Sequence, residues 1–188
     1  MRIFAISGSL RKVSSNTALI QALAVLAPDG IDVDIYDELA DVSAFNPDID
    51  EAPEAVRVFR RRVAQADAVL ISSPEYAHGV PGVLKNALDW IVGSGELIDK
   101  PIALVNASPR ATLAYASLAE TLTVMSGRLI AGASIVVAVP KGATPGDLVS
   151  DPIVSSSLRS VIRALIDECV DREWAWAADN ESRKAGEV

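Results

Sequence analysis

Residues 3–27 read IFAISGSLRKVSSNTALIQALAVLA, and this stretch decides the fold. The run is apolar up to Ser7, and Gly8 and Ser9 interrupt it, as happens where a buried strand ends. From about Thr17 to Ala27, apolar side chains recur at helical spacing; they are Leu19, Ile20, Leu23 and Leu26. The stretch therefore predicts a strand, a polar loop and a helix.

The same pattern repeats along the chain. The run Ile31–Tyr36 alternates with acids and predicts an edge strand, whereas Ala68–Ser72 is apolar throughout and predicts a central strand. The other predicted elements are strands at Ile102–Val105 and Ala133–Val139, and helices at Glu54–Gln65, Gly82–Val92, Ala111–Met125 and Ile153–Trp176. Alternating strands and helices predict an α/β three-layer sandwich with helices on both faces of a five-stranded parallel sheet. For so short a domain, the expected strand order is the flavodoxin-like 2-1-3-4-5.

Length and charge limit the classes of protein that fit. The 188 residues suit one domain, predicted over residues 1–177, with a polar C-terminal tail at 178–188. The net charge of −8 argues against nucleic acid as a partner. Cys169 and His78 are the single residues of their types, so no disulfide and no metal site is expected. No apolar run reaches the roughly 18 residues of a membrane span and no signal pattern is present, which predicts a cytoplasmic protein without membrane contact.

The loop after the first strand carries the donors of an anion site. In the 2-1-3-4-5 order, ligands bind at the carboxyl ends of the neighbouring first and third strands. Residues 8–16, GSLRKVSSN, place hydroxyl, amide and cationic side chains before a helix start, where free N–H groups also favour an anion. We therefore predict a terminal phosphate bound by Ser9, Arg11, Ser14, Ser15 and Asn16. Taken alone, Asn16 is more simply an N-cap; a Walker loop and a dinucleotide fingerprint are both absent.

The second loop, SPEYAHGVPG at residues 73–82, is suited to a flat ligand. Two prolines restrict its backbone, and its glycines let the main chain approach a conjugated ring. Flavin chemistry fits such a site because hydride moves between nicotinamide and flavin without an obligatory side-chain acid or base, so no catalytic side chain is predicted. Tyr76 either packs at the ring or anchors its own loop in the core. His78 is expected to be exposed.

The two loops together carry a family resemblance. GSLRKVSSN at residues 8–16 and SPEYAHGVPGVLKNALDW at 73–90 resemble the NADPH-dependent FMN reductases, flavodoxin-like enzymes that reduce quinones, azo dyes, chromate or free flavin. The resemblance runs from the first residue to about Ile166. It implies FMN and NADPH as cofactors, with the FMN phosphate bound by Ser9, Arg11, Ser14 and Asn16 and the ring lined by Pro74, Glu75, Tyr76 and Gly79.

The third loop departs from the family pattern. Residues 106–112 contain no glycine, whereas the family usually places glycines after its fourth strand. Ser108 is still expected to offer its hydroxyl or its N–H to the flavin. Arg110 either attracts a phosphate of the nicotinamide cofactor or a substrate anion, or makes a surface salt bridge worth at most about 1 kcal/mol.

The expected activity is that of an FMN-dependent NAD(P)H oxidoreductase, in which hydride passes from NADPH through FMN to a small acceptor: a quinone, free flavin, azo dye or metal oxyanion. The alternative is a flavodoxin-type electron carrier that binds FMN without NADPH turnover. A response-regulator-like switch needs acidic residues after the first strand, where Gly8 and Ser9 stand. The resemblance also implies a homodimer or homotetramer, with Trp90, Leu97 and Ile98 as candidate interface residues.

Overall fold

The sheet has the predicted strand order. The computed structural model describes residues 1–185, with side chains through Asp171. Five parallel strands are hydrogen-bonded in the order β2-β1-β3-β4-β5; they are β1 (Arg2–Ser7), β2 (Asp32–Tyr36), β3 (Ala68–Ser72), β4 (Pro101–Val105) and β5 (Arg128–Leu129). The flavodoxin-like α/β architecture is confirmed.

Helices cover both faces of the sheet. They are α1 (Ser15–Leu26), α2 (Glu54–Gln65), α3 (Gly82–Asp89), α4 (Thr112–Val124), α5 (Pro145–Ser150) and α6 (Pro152–Ala185). Successive side chains of a strand point to opposite faces, so Phe4 and Ile6 pack in the core beneath α2, α3 and α4, while Ile3 and Ala5 pack in the core beneath α1, α5 and α6. With both faces covered, the ends of the strands are where loops can form a site. No helix within the described residues has the length and apolar content needed to cross a membrane.

The fifth strand lies earlier in the chain than the predicted Ala133–Val139. After β5 the chain leaves the sheet in a single 3-10 turn and returns only as an isolated bridge between Val136 and Asn106. Between these points, the Ser134 hydroxyl accepts a hydrogen bond from the N–H of Leu104 at 3.2 Å. A side chain thus replaces the main-chain partner that a continuous strand would supply. The predicted boundaries are wrong because apolar composition does not reveal where hydrogen bonding to β4 is interrupted.

The C-terminal part contains one helix that the prediction lacks. Helix α5 begins after Thr144, whose side chain and that of Asp147 form a reciprocal capping box. This Thr-Pro-x-Asp signal is legible in the sequence. Helix α6 runs on through Ala185, so the predicted domain boundary at residue 177 falls within a helix, and residues 186–188 of the predicted tail lie outside the described residues.

Candidate functional site

A cavity of about 650 Å³ opens at the carboxyl edge of the sheet. The loops after β1, β3 and β4 line it, together with residues 138–141 before α5. Nine of the ten predicted site residues contribute to its wall; they are Ser9, Arg11, Ser14, Ser15, Asn16, Pro74, Glu75, Tyr76 and Ser108. Gly79 is not part of the wall, but it lies in the turn that Tyr76 begins. Because β1 and β3 are neighbours that run toward this edge, loops far apart in sequence meet there.

Ser14, and not Asn16, caps helix α1. The Ser14 hydroxyl accepts a hydrogen bond from the N–H of Thr17 at 3.4 Å. Asn16 lies inside the first helical turn and is buried, and its Oδ1 accepts a hydrogen bond of 2.9 Å from the hydroxyl of Ser72 at the end of β3. The N-cap interpretation of Asn16 is therefore wrong. Its side chain instead ties the first loop to the third strand.

The start of α1, which lines the cavity, carries free hydrogen-bond donors. The N–H groups of Ser15 and Asn16 have no partner within the part of the chain that the structure describes. A helix N-terminus adds partial positive charge at this point. Arg11 is exposed beside them, and its backbone N–H donates to the Ser9 hydroxyl at 3.4 Å. This donor set matches an anion such as a phosphate.

The first and second loops come into close contact at Gly8. Its N–H donates to the carbonyl of Ser72 at 2.9 Å. A Cβ atom at this position would lie 2.6 Å from the Oγ of Ser73 and 3.1 Å from a methyl carbon of Leu84. A real Cβ atom essentially never lies 2.6 Å from another heavy atom, and 3.1 Å is already a tight contact. The absence of a Cβ at residue 8 therefore lets the two loops meet at this distance.

The tip of the second loop is a tight turn. Tyr76 and Gly79 exchange two backbone hydrogen bonds of 3.1 and 2.9 Å. Between them, Ala77 and His78 have φ angles of +50° and +62°, a combination that type I′ turns usually give to asparagine and glycine. Tyr76 is 49% exposed, so its ring lines the cavity and does not anchor the loop in the core. The exposure expected for His78 is confirmed.

Glu75 connects the second loop to helix α4. Its Oε2 accepts hydrogen bonds from the N–H groups of Leu113 and Ala114, each at 2.9 Å, and its Oε1 lies 3.1 Å from Nδ1 of His78. Helix α4 has no capping side chain of its own because Ala111 occupies the N-cap position. The hydrogen bond from Ala114, together with those from His78 and Leu113, lowers the pKa of Glu75. The carboxylate is therefore a fixed structural anion that caps a helix from another loop.

Asn106 shapes the third loop in place of the missing glycines. Its buried side chain donates from Nδ2 to the carbonyl of Ala111 and accepts at Oδ1 from the N–H of Ser108, both at 2.9 Å. Asparagine side chains stabilise turns in this way. The Ser108 N–H is thus engaged, and of the two groups predicted to face a ligand only the hydroxyl remains, which also accepts from the N–H of Arg110 at 3.3 Å.

The predicted site lacked one side of the cavity. Ala138, Val139 and Pro140 form an apolar part of the wall, and Lys141 adds a cation. In a parallel sheet the residues that follow every strand lie at the same edge, so the segment after the fifth strand could have been predicted to line the site. Placing the fifth strand at Ala133–Val139 assigned Ala138 and Val139 to the strand itself, whereas Pro140 and Lys141 directly follow it and could have been proposed.

A larger groove, of about 1460 Å³, lies at the opposite, amino-terminal edge of the sheet. None of the predicted site residues lines it. Its buried cation, Lys100, donates hydrogen bonds from Nζ to the carbonyls of Val63 and Ala66 at 2.8 and 2.6 Å, at the end of α2. Lys100 thus satisfies a helix C-terminus, and the predicted site residues lie at the carboxyl edge.

Known proteins resemble this chain over much of its length. The family model described as NADPH-dependent FMN reductase matches residues 1–144. The chain is 44% identical over 91 residues to a 2-hydroxy-1,4-benzoquinone reductase of a Burkholderia species, a match that covers 48% of this chain and 49% of that protein. It is 38% identical over 112 residues to an NAD(P)H-dependent FMN reductase of Pseudomonas aeruginosa, covering 57% of this chain and 60% of that one. The chain therefore spans about half to three fifths of the length of these curated relatives.

A solved structure matches the fold more completely. FerB, a flavoenzyme NAD(P)H:(acceptor) oxidoreductase from Paracoccus denitrificans, superposes with a TM-score of 0.74 at 29% sequence identity. The match covers 90% of this chain and 97% of that chain. The two chains therefore share their architecture over most of their length.

Proposed function

The chain belongs to the NADPH-dependent FMN reductase family, and on this premise we propose that it is an FMN-dependent NAD(P)H oxidoreductase that passes hydride from NADPH through bound FMN to a small acceptor. The observation that carries the proposal is the cavity at the carboxyl edge. There, hydrogen-bond donors suited to a phosphate lie beside the second and third loops. The name of the Burkholderia relative, a 2-hydroxy-1,4-benzoquinone reductase, supports a quinone as acceptor. Free flavin, azo dyes and metal oxyanions are further acceptors to test.

The residues of the cavity fit FMN at both of its ends. At the phosphate end, free N–H groups of α1, the Arg11 guanidinium and several hydroxyl groups offer donors to a dianion. At the ring end, Pro74, Ala107 and Val139 supply an apolar wall. We assign the phosphate to Ser9, Arg11, Ser14, Ser15 and Asn16, and the ring to Pro74, Tyr76 and Ser108, with Glu75 and Gly79 acting through the shape of the second loop.

The chain's own part in the reaction is binding and orientation. The bound flavin ring supplies hydride and electron transfer, for which no side-chain acid or base is required. Glu75 stays ionised through its hydrogen bonds to α4, so it positions the second loop and does not donate a proton. The tight turn at Tyr76 holds the loop backbone in one conformation beside the ring. The open mouth of the cavity leaves access for NADPH and then for the acceptor.

Absorbance and steady-state kinetics test the proposal directly. The purified protein is expected to show the blue-light absorbance of oxidised flavin, or to acquire it after incubation with FMN and desalting. It is then expected to oxidise NADPH when a benzoquinone is present. Protein that stays colourless after incubation contradicts the assignment. Protein that retains FMN but does not oxidise NADPH supports the electron-carrier alternative.

Arg11 offers a residue-level test with a matched control. Removing a cation from a dianionic phosphate is expected to cost roughly 2–3 kcal/mol, so Arg11→Ala should weaken FMN binding about 30- to 150-fold. Lys12→Ala removes the same charge from the neighbouring position, which does not line the cavity, and should weaken binding less than about threefold. Fluorescence titration with FMN measures both. Equal losses of FMN affinity in the two variants would show that Arg11 acts only through its charge and not through a direct contact with the phosphate.

The cellular location and the oligomeric state are part of the same proposal. A cytoplasmic location is supported by the dependence of the family on NADPH and by a sequence whose single cysteine cannot form an internal disulfide. A homodimer or homotetramer remains proposed, although Trp90 and Leu97 are buried within the protomer and only Ile98 is exposed. Light scattering at micromolar concentration tests the assembly, and a mass of 19.8 kDa would reject it.

A further inference from the structure

Three cations on the wall of the cavity have no carboxylate partner. Arg11, Arg110 and Lys141 all line it and are all exposed. None of the three forms an ion pair with any residue whose side chain the structure describes. In a chain with 25 acidic and 17 basic residues, acids to pair with are abundant. Three unpaired cations at one cavity therefore indicate that anions bind there.

Arg110 and Lys141 lie on two backbone segments that are hydrogen-bonded to each other. The N–H of Val137 donates to the carbonyl of Asn106 at 2.8 Å, and the N–H of Val139 donates to that of Ala107 at 3.3 Å. The side chain of Asn106 holds the turn that carries Arg110. The two cations thus stand on neighbouring, structurally supported loops on one side of the cavity.

Arg11 stands on the other side. In the strand order β2-β1-β3-β4-β5, the loop after β1 is separated from the loop after β4 by two strand spacings and from the segment after β5 by three. At about 4.8 Å per spacing, the loop bases lie roughly 10–14 Å apart. Salt screens exposed charges beyond about 8 Å. A phosphate bound beside Arg11 therefore leaves Arg110 and Lys141 without a counter-charge.

We propose that Arg110 and Lys141 form a second anion subsite that binds a phosphate group of the incoming nicotinamide dinucleotide. The inference rests on the proposed function, because it takes FMN to occupy the first subsite and NADPH to be the second ligand. Arginine presents a planar fork of donors that matches phosphate, and lysine adds a point charge. A dinucleotide carries phosphates that an uncharged quinone lacks. Either its 2′-phosphate or its pyrophosphate satisfies the subsite.

Calorimetric titration of the FMN-loaded protein with nucleotide fragments tests the subsite apart from turnover. The probes are adenosine 2′,5′-bisphosphate, which carries the 2′-phosphate, and ADP, which carries the pyrophosphate. The variants are Arg110→Ala, Lys141→Ala and the double variant, with Arg61→Ala as control because Arg61 is an exposed and unpaired cation away from the cavity. Each subsite variant is expected to weaken binding about tenfold, whereas Arg61→Ala and the FMN affinity of all variants should change less than twofold.

The outcomes separate the two phosphates and the two proposals. Loss confined to the 2′,5′-bisphosphate assigns the 2′-phosphate and predicts preference for NADPH over NADH, whereas loss confined to ADP assigns the pyrophosphate. Unchanged binding of both probes overturns the subsite, as does a loss matched by Arg61→Ala. Weakened FMN binding in the subsite variants also overturns it, because the cations then belong to the FMN site. Wild-type protein that never retains FMN instead overturns the proposed function.

Discussion

Substitution of Gly8 tests whether contact between the first and second loops holds the site together. In Gly8→Ala the new Cβ lies 2.6 Å from the Oγ of Ser73, 3.1 Å from its Cβ and 3.1 Å from a methyl carbon of Leu84. The Ser73 hydroxyl can rotate, but its Cβ is fixed to the backbone of the second loop. The loops must therefore move apart by a few tenths of an ångström, and we expect the substitution to weaken FMN binding as well as folding.

The contacts set the expected magnitude. Overpacking of this kind costs about 1–3 kcal/mol, which lowers the melting temperature by about 2–4 °C per kcal/mol in a chain of this size. In a Ser73→Gly background the Oγ and Cβ contacts disappear, and only the flexible methyl of Leu84 remains. The cost of Gly8→Ala should then fall below about 1 kcal/mol. Gly82→Ala is the control, because its Cβ meets nothing within 4 Å and should change stability by less than about 1 kcal/mol, toward greater stability.

Urea denaturation followed by circular dichroism measures the four free energies of this double-mutant cycle, and fluorescence titration gives the FMN affinity of each variant. The reasoning predicts a favourable coupling of about 1 kcal/mol or more between the two substitutions. Equal costs of Gly8→Ala with and without the Ser73 side chain would refute it. So would a Gly82→Ala variant that loses as much FMN affinity as Gly8→Ala.

Three further predictions concern the polar residues of the site. Asn16→Ala leaves the buried Ser72 hydroxyl without its partner and should cost about 1–3 kcal/mol of unfolding free energy. Asn16→Asp keeps an acceptor for that hydroxyl but adds a negative charge beside the phosphate site. Titration with FMN should therefore find the larger loss of affinity in Asn16→Asp. Asn106→Ala removes two hydrogen bonds, one buried and one partly buried, and should cost about 2–3 kcal/mol in urea denaturation. A loss below about 0.5 kcal/mol would contradict the role given to its side chain. Because the folded-state pKa of Glu75 is lowered from 4.5, its contribution is fully present above that pH and is lost as pH falls through the folded-state value. Wild type should therefore be more stable than Glu75→Gln at pH 7, and the difference should shrink below about pH 4.5; a difference independent of pH would argue against the ionised contact.

Much of the site was predictable because its signals are local. The donors of the first loop, Ser9, Arg11 and Ser14, stand within one short segment between a strand and a helix, and strand order alone brings that segment beside the second loop. The exposure of the His78 side chain was likewise predictable, because a polar residue at the tip of a loop usually faces solvent. Their roles toward FMN remain predictions until the cofactor is titrated.

Sequence by itself determined the type and order of the elements from β1 to α4 and the edge of the sheet where the loops meet, since apolar periodicity is set by which face of each element must be buried. Only the tertiary structure decided what the polar side chains do. Asn16 meets Ser72 across 56 positions of the chain, and Glu75 reaches the N–H of Ala114 across 39. A hydrogen bond forms only where donor and acceptor come within a few ångströms of each other. Residues this far apart in sequence reach that distance only after the helices have packed on the sheet, so their partners cannot be read from the sequence.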